Sequence, residues 1–392
     1  MDTDMNELVP HNLITELVPP SILERMPKRI LPSLIQHLDR KDLKTITTLS
    51  QRARLKFLPA LLREVFFNGS ATQIAYQLVS FLREEREPTS GPVYEYVETV
   101  TFRLAQDDGE GEIPSLPGAF GILGDFFRRA TQLQNVLFFF AKSSRFQRAC
   151  FVNLVGDTCG WAPLKTLSLD FADSMTINAI TRGCKPRNLQ SVYITMRRNS
   201  EKYNILRNRH SQLKRLWIVC RYRVEQGELY SNAAWDILPA IRQDFRQLEW
   251  LILSEVFTEE ECFLRCHYVS PRDLTKLHRA IDGIASKLNE MPKLVRFAFP
   301  LDQDTMCNRL MRQDWTSSSK EQLTHEQVTA WYTRLILHIS RAVPRLEQIC
   351  VTHDYPFFFR GIKKPGEGEM AVTECNMSEL DRDFEFPGGL LH

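Results

Sequence analysis

The chain has 392 residues, 43% hydrophobic and 25% charged, a composition typical of soluble globular proteins and too much chain for one small core. A formal net charge of +2 excludes the global positive field of a nucleic-acid binder, and no apolar run reaches the roughly 20 residues that span a bilayer. The opening Met1-Asp2-Thr3-Asp4 is acidic where a secretory signal is basic, and nine cysteines without tight pairs point to reduced thiols in cytoplasm or nucleus.

Residues 1–20 show little periodicity and end in Val18-Pro19-Pro20, a loose lead-in. Ser21 and Glu24 fit a capping box. From Pro27 the apolar residues Ile30, Leu31, Leu34, Ile35 and Leu38 line one helix face, with the proline acceptable only in the first turn. Leu43, Ile46 and Leu49 predict a second short helix. Leu55, Leu58, Leu61 and Leu62 predict a third, which Pro59 should break or restart, and Glu64–Phe67 reads as a strand. Residues 21–67 thus form a predicted N-terminal helical module.

From residue 68 to 360 the chain repeats itself. The pattern Φ-x-x-Φ-x-Φ, with Φ apolar, occurs at Val97-Val100-Phe102, Leu133-Val136-Phe138, Leu164-Leu167-Leu169 and Leu189-Val192-Ile194. It returns at Leu213-Leu216-Ile218, Leu248-Leu251-Leu253, Leu294-Phe297-Phe299 and Leu346-Ile349-Val351. A leucine-rich repeat places such a strand every 20–29 residues or so, and only the two middle spacings, Leu164 to Leu189 and Leu189 to Leu213, fit directly. Longer helices fill the wider gaps: Ser70 with Gln73, Ser270-Pro271-Asp273, and Thr324 with Gln327 each open an amphipathic run. A strand with one apolar side cannot cover itself, so neighbouring units stack over a shared core. The predicted fold is α/β: a helical module followed by an irregular leucine-rich-repeat solenoid of parallel strands and helices, a compact α/β sheet being the alternative. Gln106–Pro117 and Asp302–Leu323 read as loops. Residues 361–392 read as a largely disordered tail, in which Phe384, Phe386, Leu390 and Leu391 are apolar enough to return and pack.

The first module resembles an F-box: Met26-Pro27-x-x-Ile30-Leu31, then Leu34, Ile35 and Leu38, then Asp42-Leu43, Leu49-Ser50 and Pro59 before a strand. A terminal module of this kind followed by leucine-rich repeats is the layout of fungal-type F-box proteins. The resemblance implies a non-catalytic substrate-recognition subunit of an SCF-type cullin-RING ubiquitin ligase. Met26, Pro27, Ile30, Leu31, Ile35 and Leu43 would contact a Skp-family adaptor, while Leu34, Leu38 and Leu49 hold the helices together. Met26 stands where leucine is usual, Arg29 where glutamate is common, and Ala53 where many members place tryptophan. The alternative is a stand-alone leucine-rich-repeat scaffold whose N-terminal helices cap the array, as every solenoid requires.

Signatures of phosphate loops, nucleophile elbows, zinc proteases and dinucleotide folds are missing from the sequence, so no catalytic residue, cofactor or metal is predicted. Cys262, Cys266 and His267 supply three zinc ligands without a second pair, and core packing is the simpler reading. His353-Asp354 reads as a turn. Strand alternation turns Arg215, Trp217 and Val219 away from the core, with Tyr193 before them and Trp250 after. Residues 197–223 also carry nine Lys or Arg against one acid, Glu201. Tyr193, Arg215, Trp217 and Trp250, edged by Arg197 and Arg221, therefore form the candidate substrate face, suited to an acidic or phosphorylated protein. A solvated rim or a nucleic-acid backbone contact would use the same charges.

Overall fold

The computed structural model describes residues 25–27, 29–83, 93–105, 120–141, 143–156, 161, 164–196, 201–221, 237–256, 274–301, 324–354, 357–364, 366, 368–379 and 386–387. Two compact units divide between Leu62 and Arg63.

The first unit holds α1 (Leu31–Gln36), α2 (Arg40–Leu49) and α3 (Gln51–Leu61). Asp39 caps α2, accepting from the Asp42 amide at 2.7 Å, and the Asp42 carboxylate answers toward the Asp39 amide. Ser50 ends α2 and caps α3 in one residue, its hydroxyl accepting from the Ala53 amide. Each cap satisfies a helix-end donor that would otherwise go unpaired. The Lys56 ammonium donates to the Met26 carbonyl at 2.6 Å, tying the first described turn to α3. Leu43 and Thr47 of α2 and Ala53, Phe57 and Leu58 of α3 are buried. Pro59 lies inside α3 without breaking it. A proline forfeits one amide bond, and the helix ends two residues later, so little of it depends on that bond. The Ser21–Glu24 capping box lies outside the described residues.

The second unit alternates helix and strand. Its strands are β1 (Glu64–Gly69), β2 (Thr99–Leu104), β3 (Asn135–Phe139), β4 (Thr166–Asp170), β5 (Ser191–Met196), β6 (Arg215–Arg221), β7 (Trp250–Val256), β8 (Arg296–Pro300), β9 (Gln348–Asp354), β10 (Phe357–Lys363) and β11 (Met370–Asn376). Between them come α4 (Ala71–Arg83), α5 (Ile122–Arg129), α6 (Arg145–Val155), α7 (Ser174–Gly183), α8 (Glu201–Arg209), α9 (Leu238–Asp244), α10 (Leu274–Asn289) and α11 (His325–Ala342). All eleven strands form one sheet in sequence order, parallel from β1 to β9. The eight Φ-x-x-Φ-x-Φ segments are β2 to β9 and their lead-ins, side by side, as the repeat reading predicts.

Register explains the pattern. Val65, Val100, Val136, Leu167, Val192, Leu216, Leu251, Phe297 and Ile349 occupy one row across nine strands, and all are buried. The next inward row begins Phe67, Phe102, Phe138, Leu169, Ile194, Ile218 and Leu253. Helices cover this side in one continuous core. The repeat also extends one step further back than the pattern read from sequence. Tyr94, Ala130, His210, Phe245, Met291 and Val343 each lie three residues before the leading Φ, are buried, and accept its amide hydrogen. Chain entering these six strands is therefore pinned by a short buried turn.

Three boundaries differ from the sequence reading. Glu64–Phe67 belongs to β1 of the sheet, not to the helical module, because its alternate residues Val65 and Phe67 complete the inward rows. Gly361–Lys363 and Met370–Asn376 are strands, not disordered tail: β10 and β11 add antiparallel to the last edge. Edge strands left bare invite pairing, and this hairpin takes up the hydrogen bonds of β9. His353 is in β9 rather than in a turn, its Nε2 2.8 Å from Glu374 of β11.

Candidate functional site

Among the described residues no α-helix packs on the other side of the sheet, and this helix-free side carries the alternate residues of each strand. One row reads Thr99, Asn135, Thr166, Ser191, Arg215, Trp250, Arg296 and Gln348. The next reads Ser168, Tyr193, Trp217, Ile252, Ala298 and Cys350. Tyr193 meets Trp217 edge to face, with ring centroids 5.0 Å apart and planes at 81°. The Tyr193 hydroxyl donates to Asp170 at 3.3 Å, and the Thr195 hydroxyl to the same oxygen at 2.8 Å. The Trp217 indole N–H donates to the Ser254 hydroxyl at 3.0 Å. Both polar tips are thus held from within the sheet, leaving ring surface as what this pair can offer a partner.

Trp250 sits differently. Register places it beside Arg215 on one side and Arg296 on the other, and both guanidinium carbons lie over its ring, at 4.1 and 4.3 Å from the centroid. Burial holds the Arg215 pKa below its ordinary value; Glu249 opposes that shift and Arg296 adds to it. The expectation of an open tryptophan fails: Trp250 is 7% exposed, and Phe386 packs edge-on against it at 5.9 Å. The Gln348 side-chain amide donates to the Phe386 carbonyl at 3.3 Å. Trp250, Ile252, Ala298, Cys350, Phe358 and Phe386 form a second apolar cluster, apart from the main core. So the return of the C-terminal segment foreseen from its apolar residues is realised at Phe386, and it covers one third of the predicted aromatic face. Phe384, Leu390 and Leu391 lie outside the described residues.

The described part of the basic run does not converge on one side of the sheet. Arg215 lies on the helix-free side, whereas Arg207 and Arg209 are on α8, Arg209 donating to Asn178 of α7. Lys214 pairs with Glu249 at 3.3 Å. One repeat carries the chain through helix, turn and strand, so consecutive basic residues finish on different sides. Arg197 and the Arg221 side chain lie outside the described residues, as do Cys262, Cys266 and His267. Arg296 and Asp170 escaped the sequence reading. Arg296 was legible, since it occupies in its repeat the position that Arg215 and Trp250 occupy in theirs.

In the N-terminal unit, Pro27 and Ile30 are exposed, and Met26, Leu31 and Ile35 are half-buried. Leu43 is buried, against its expected role as an adaptor contact, because it shares the inner stripe of α2 with Thr47 one turn on. Leu49, expected inside, is 64% exposed. Six residues beyond Leu43 it lies about 120° round the helix, off the buried stripe.

Among the described residues no helix is long and apolar enough to cross a membrane, and no group of three His, Cys, Asp or Glu is placed to hold a metal ion. No protein-family model matches the chain, and no curated protein matches it.

Proposed function

We propose that the chain is the substrate-recognition subunit of an SCF-type cullin-RING ubiquitin ligase, its N-terminal helical unit binding a Skp-family adaptor and its repeat sheet binding a protein substrate. The observation that carries this reading is the apolar surface of the small unit. Leu49 of α2 and Leu55 of α3 are 64% and 43% exposed, and Ile30, the N-cap residue of α1, is 47% exposed. A unit that only capped a solenoid would present a polar outer face, whereas uncovered aliphatic side chains on helices suit a partner that packs against them. The chain would supply no chemistry; it would raise the effective concentration of a substrate lysine near the transferred ubiquitin.

The decisive experiment is adaptor pull-down with Ile30→Asp and Leu31→Asp together in the full chain. Binding should fall below detection while the thermal melt of the repeat unit stays where it was. Undiminished binding would remove the ligase reading and leave the stand-alone repeat scaffold.

A further inference from the structure

We infer that the N-terminal unit docks on an acidic protein surface, one that sets carboxylates beside an apolar recess and draws the unit in by charge. The inference deepens the adaptor reading and rests on it. Residues 25–62 hold nine Lys or Arg against two acids, a net charge of +7 in a chain whose total is +2, so the rest of the chain is net negative. Both acids, Asp39 and Asp42, are committed to the capping box that starts α2. Arg29, Lys41, Lys44 and Arg52 are exposed, and none of the four enters an ion pair among the described residues.

These cations stand beside the exposed aliphatic side chains. Arg29 adjoins Ile30 at the entry to α1. On α2 Lys41 and Leu49 fall about 80° apart round the helix, and on α3 Arg52 and Leu55 fall about 60° apart. Both pairs face away from the buried residues Leu43, Thr47, Ala53 and Phe57. Between Lys41 and Leu49 the Thr45 and Thr48 hydroxyls donate to the Lys41 and Thr45 carbonyls at 2.9 and 2.7 Å, which leaves their methyl groups for a partner. The unit therefore presents cations and apolar contacts side by side, the complement of an apolar recess rimmed by carboxylates. An anionic membrane meets the charge requirement but not the shape. Ile30 and Leu55 are 47% and 43% exposed, so the unit itself covers more than half of each. A membrane-seated helix sinks its apolar face about 5–10 Å into the headgroup boundary, which takes side chains that project. A protein surface can reach side chains that are half covered.

The test is stopped-flow association of the full-length chain with a purified Skp-family adaptor, at low and at physiological ionic strength. Wild type is compared with two variants: Lys41→Glu, Lys44→Glu and Arg52→Glu together, and the same three residues changed to Gln. The wild-type association rate should fall by about tenfold or more between the two salt conditions. At low salt the Glu variant should associate more slowly by about tenfold or more, with the Gln variant between, while dissociation moves by less than about threefold. The salt response is read on the wild-type chain and does not depend on how the variants fold. A wild-type rate indifferent to salt, or a Glu variant that associates at the wild-type rate, would overturn the inference and leave the adaptor reading standing. A wild-type chain that binds no adaptor would end both. Sedimentation with vesicles of phosphatidylcholine and phosphatidylserine supplies the last arm. Wild-type chain should stay in the supernatant at physiological salt; retention on the vesicles that the Glu variant abolishes would make the anionic partner a lipid, against the inference.

Discussion

Phe102 stacks on Phe138 with ring centroids 5.2 Å apart and planes 16° from parallel, a consequence of their facing register positions on β2 and β3. Phe67 continues the stack on the other side at 5.2 Å and 13°, and Phe126, Phe127 and Phe151 meet it edge-on from the helices. The N-terminal repeats thus share one aromatic seam. Phe102→Ala should cost about 3–5 kcal/mol, since neighbours on both strands prevent the cavity from collapsing. Phe66→Ala, one residue along β1 from Phe67 but 55% exposed, should stay within about 0.5 kcal/mol. Urea melts of the two variants check the contrast.

Gly183 ends α7 directly under the Trp161 indole, and a Cβ there would fall on the ring. The Trp161 amide also donates to the Gly183 carbonyl at 3.1 Å, so the two residues cannot separate freely. Gly183→Ala should destabilise the repeat unit by about 1–3 kcal/mol through overpacking. Combining it with Trp161→Leu should recover part of that loss, because the clash depends on the indole. Full additivity in a double-mutant cycle of thermal melts would refute the account.

His210 occupies the buried turn position where five other repeats carry Tyr94, Ala130, Phe245, Met291 and Val343, and it is 1% exposed. Its pKa is lowered to about 4, chiefly by burial, with the Arg209 charge adding to the effect and the Thr181 backbone opposing it. The sign follows from proton uptake. Between an unfolded value near 6.5 and the folded value, the unfolded chain binds the extra proton and the folded chain does not. The contribution is fully present above about 6.5 and is lost as pH falls toward about 4, on the order of 3 kcal/mol in total. Chemical melts at pH 7.5, 6 and 5 should show this decline, and His210→Leu should flatten it. An unchanged slope in that variant would assign the decline to other groups.

Cys184, Cys220 and Cys350 are buried, and burial pushes the Cys184 thiol up to about 12 and raises that of Cys350 as well. Only thiolate reacts with an alkylating agent, so these sulfurs should stay unlabelled by iodoacetamide at pH 8 in the folded chain. Half-buried Cys375 should label first among the described cysteines. Peptide mapping after native labelling and after denaturation tests this directly.

Much of the repeat unit was legible because one physical rule governs it. Strand alternation plus stacking assigns Leu216, Leu251 and Phe297 inward from their spacing alone, and parallel order follows from the helices between them. What escaped was set by contacts distant in sequence. Nothing near residue 361 announces that β10 and β11 will pair with β9, and Phe386 reaches a tryptophan 136 positions earlier, a separation no periodicity encodes. The rotation of Leu49 out of its module was in the sequence, since α2 starts at its Asp39 cap and ends before Ser50. Reading Leu43, Ile46 and Leu49 as one stripe ignored the angle that accumulates over six residues.

Recognition by the remaining half-buried face, Tyr193, Trp217 and Arg215, can be resolved into its charge and its shape. Trp217 keeps its indole N–H on Ser254, so Trp217→Ala removes ring area and no donor that a partner would use. In the ligase reading that loss should lower substrate capture by about tenfold or more, with adaptor pull-down unchanged. Arg215→Glu reverses the charge and also ends the stacking on Trp250, whereas Arg215→Lys keeps the charge and loses only the planar stack. An acidic or phosphorylated ligand should therefore tolerate lysine far better than glutamate, bind more tightly when phosphorylated, and weaken as salt is added. If lysine and glutamate are equally damaging, Arg215 acts by holding Trp250 in place, and its charge plays no part in selecting the ligand. If quantitative mass spectrometry of captured partners finds the wild-type set with Trp217→Ala and with Arg215→Glu alike, this face is a solvated rim.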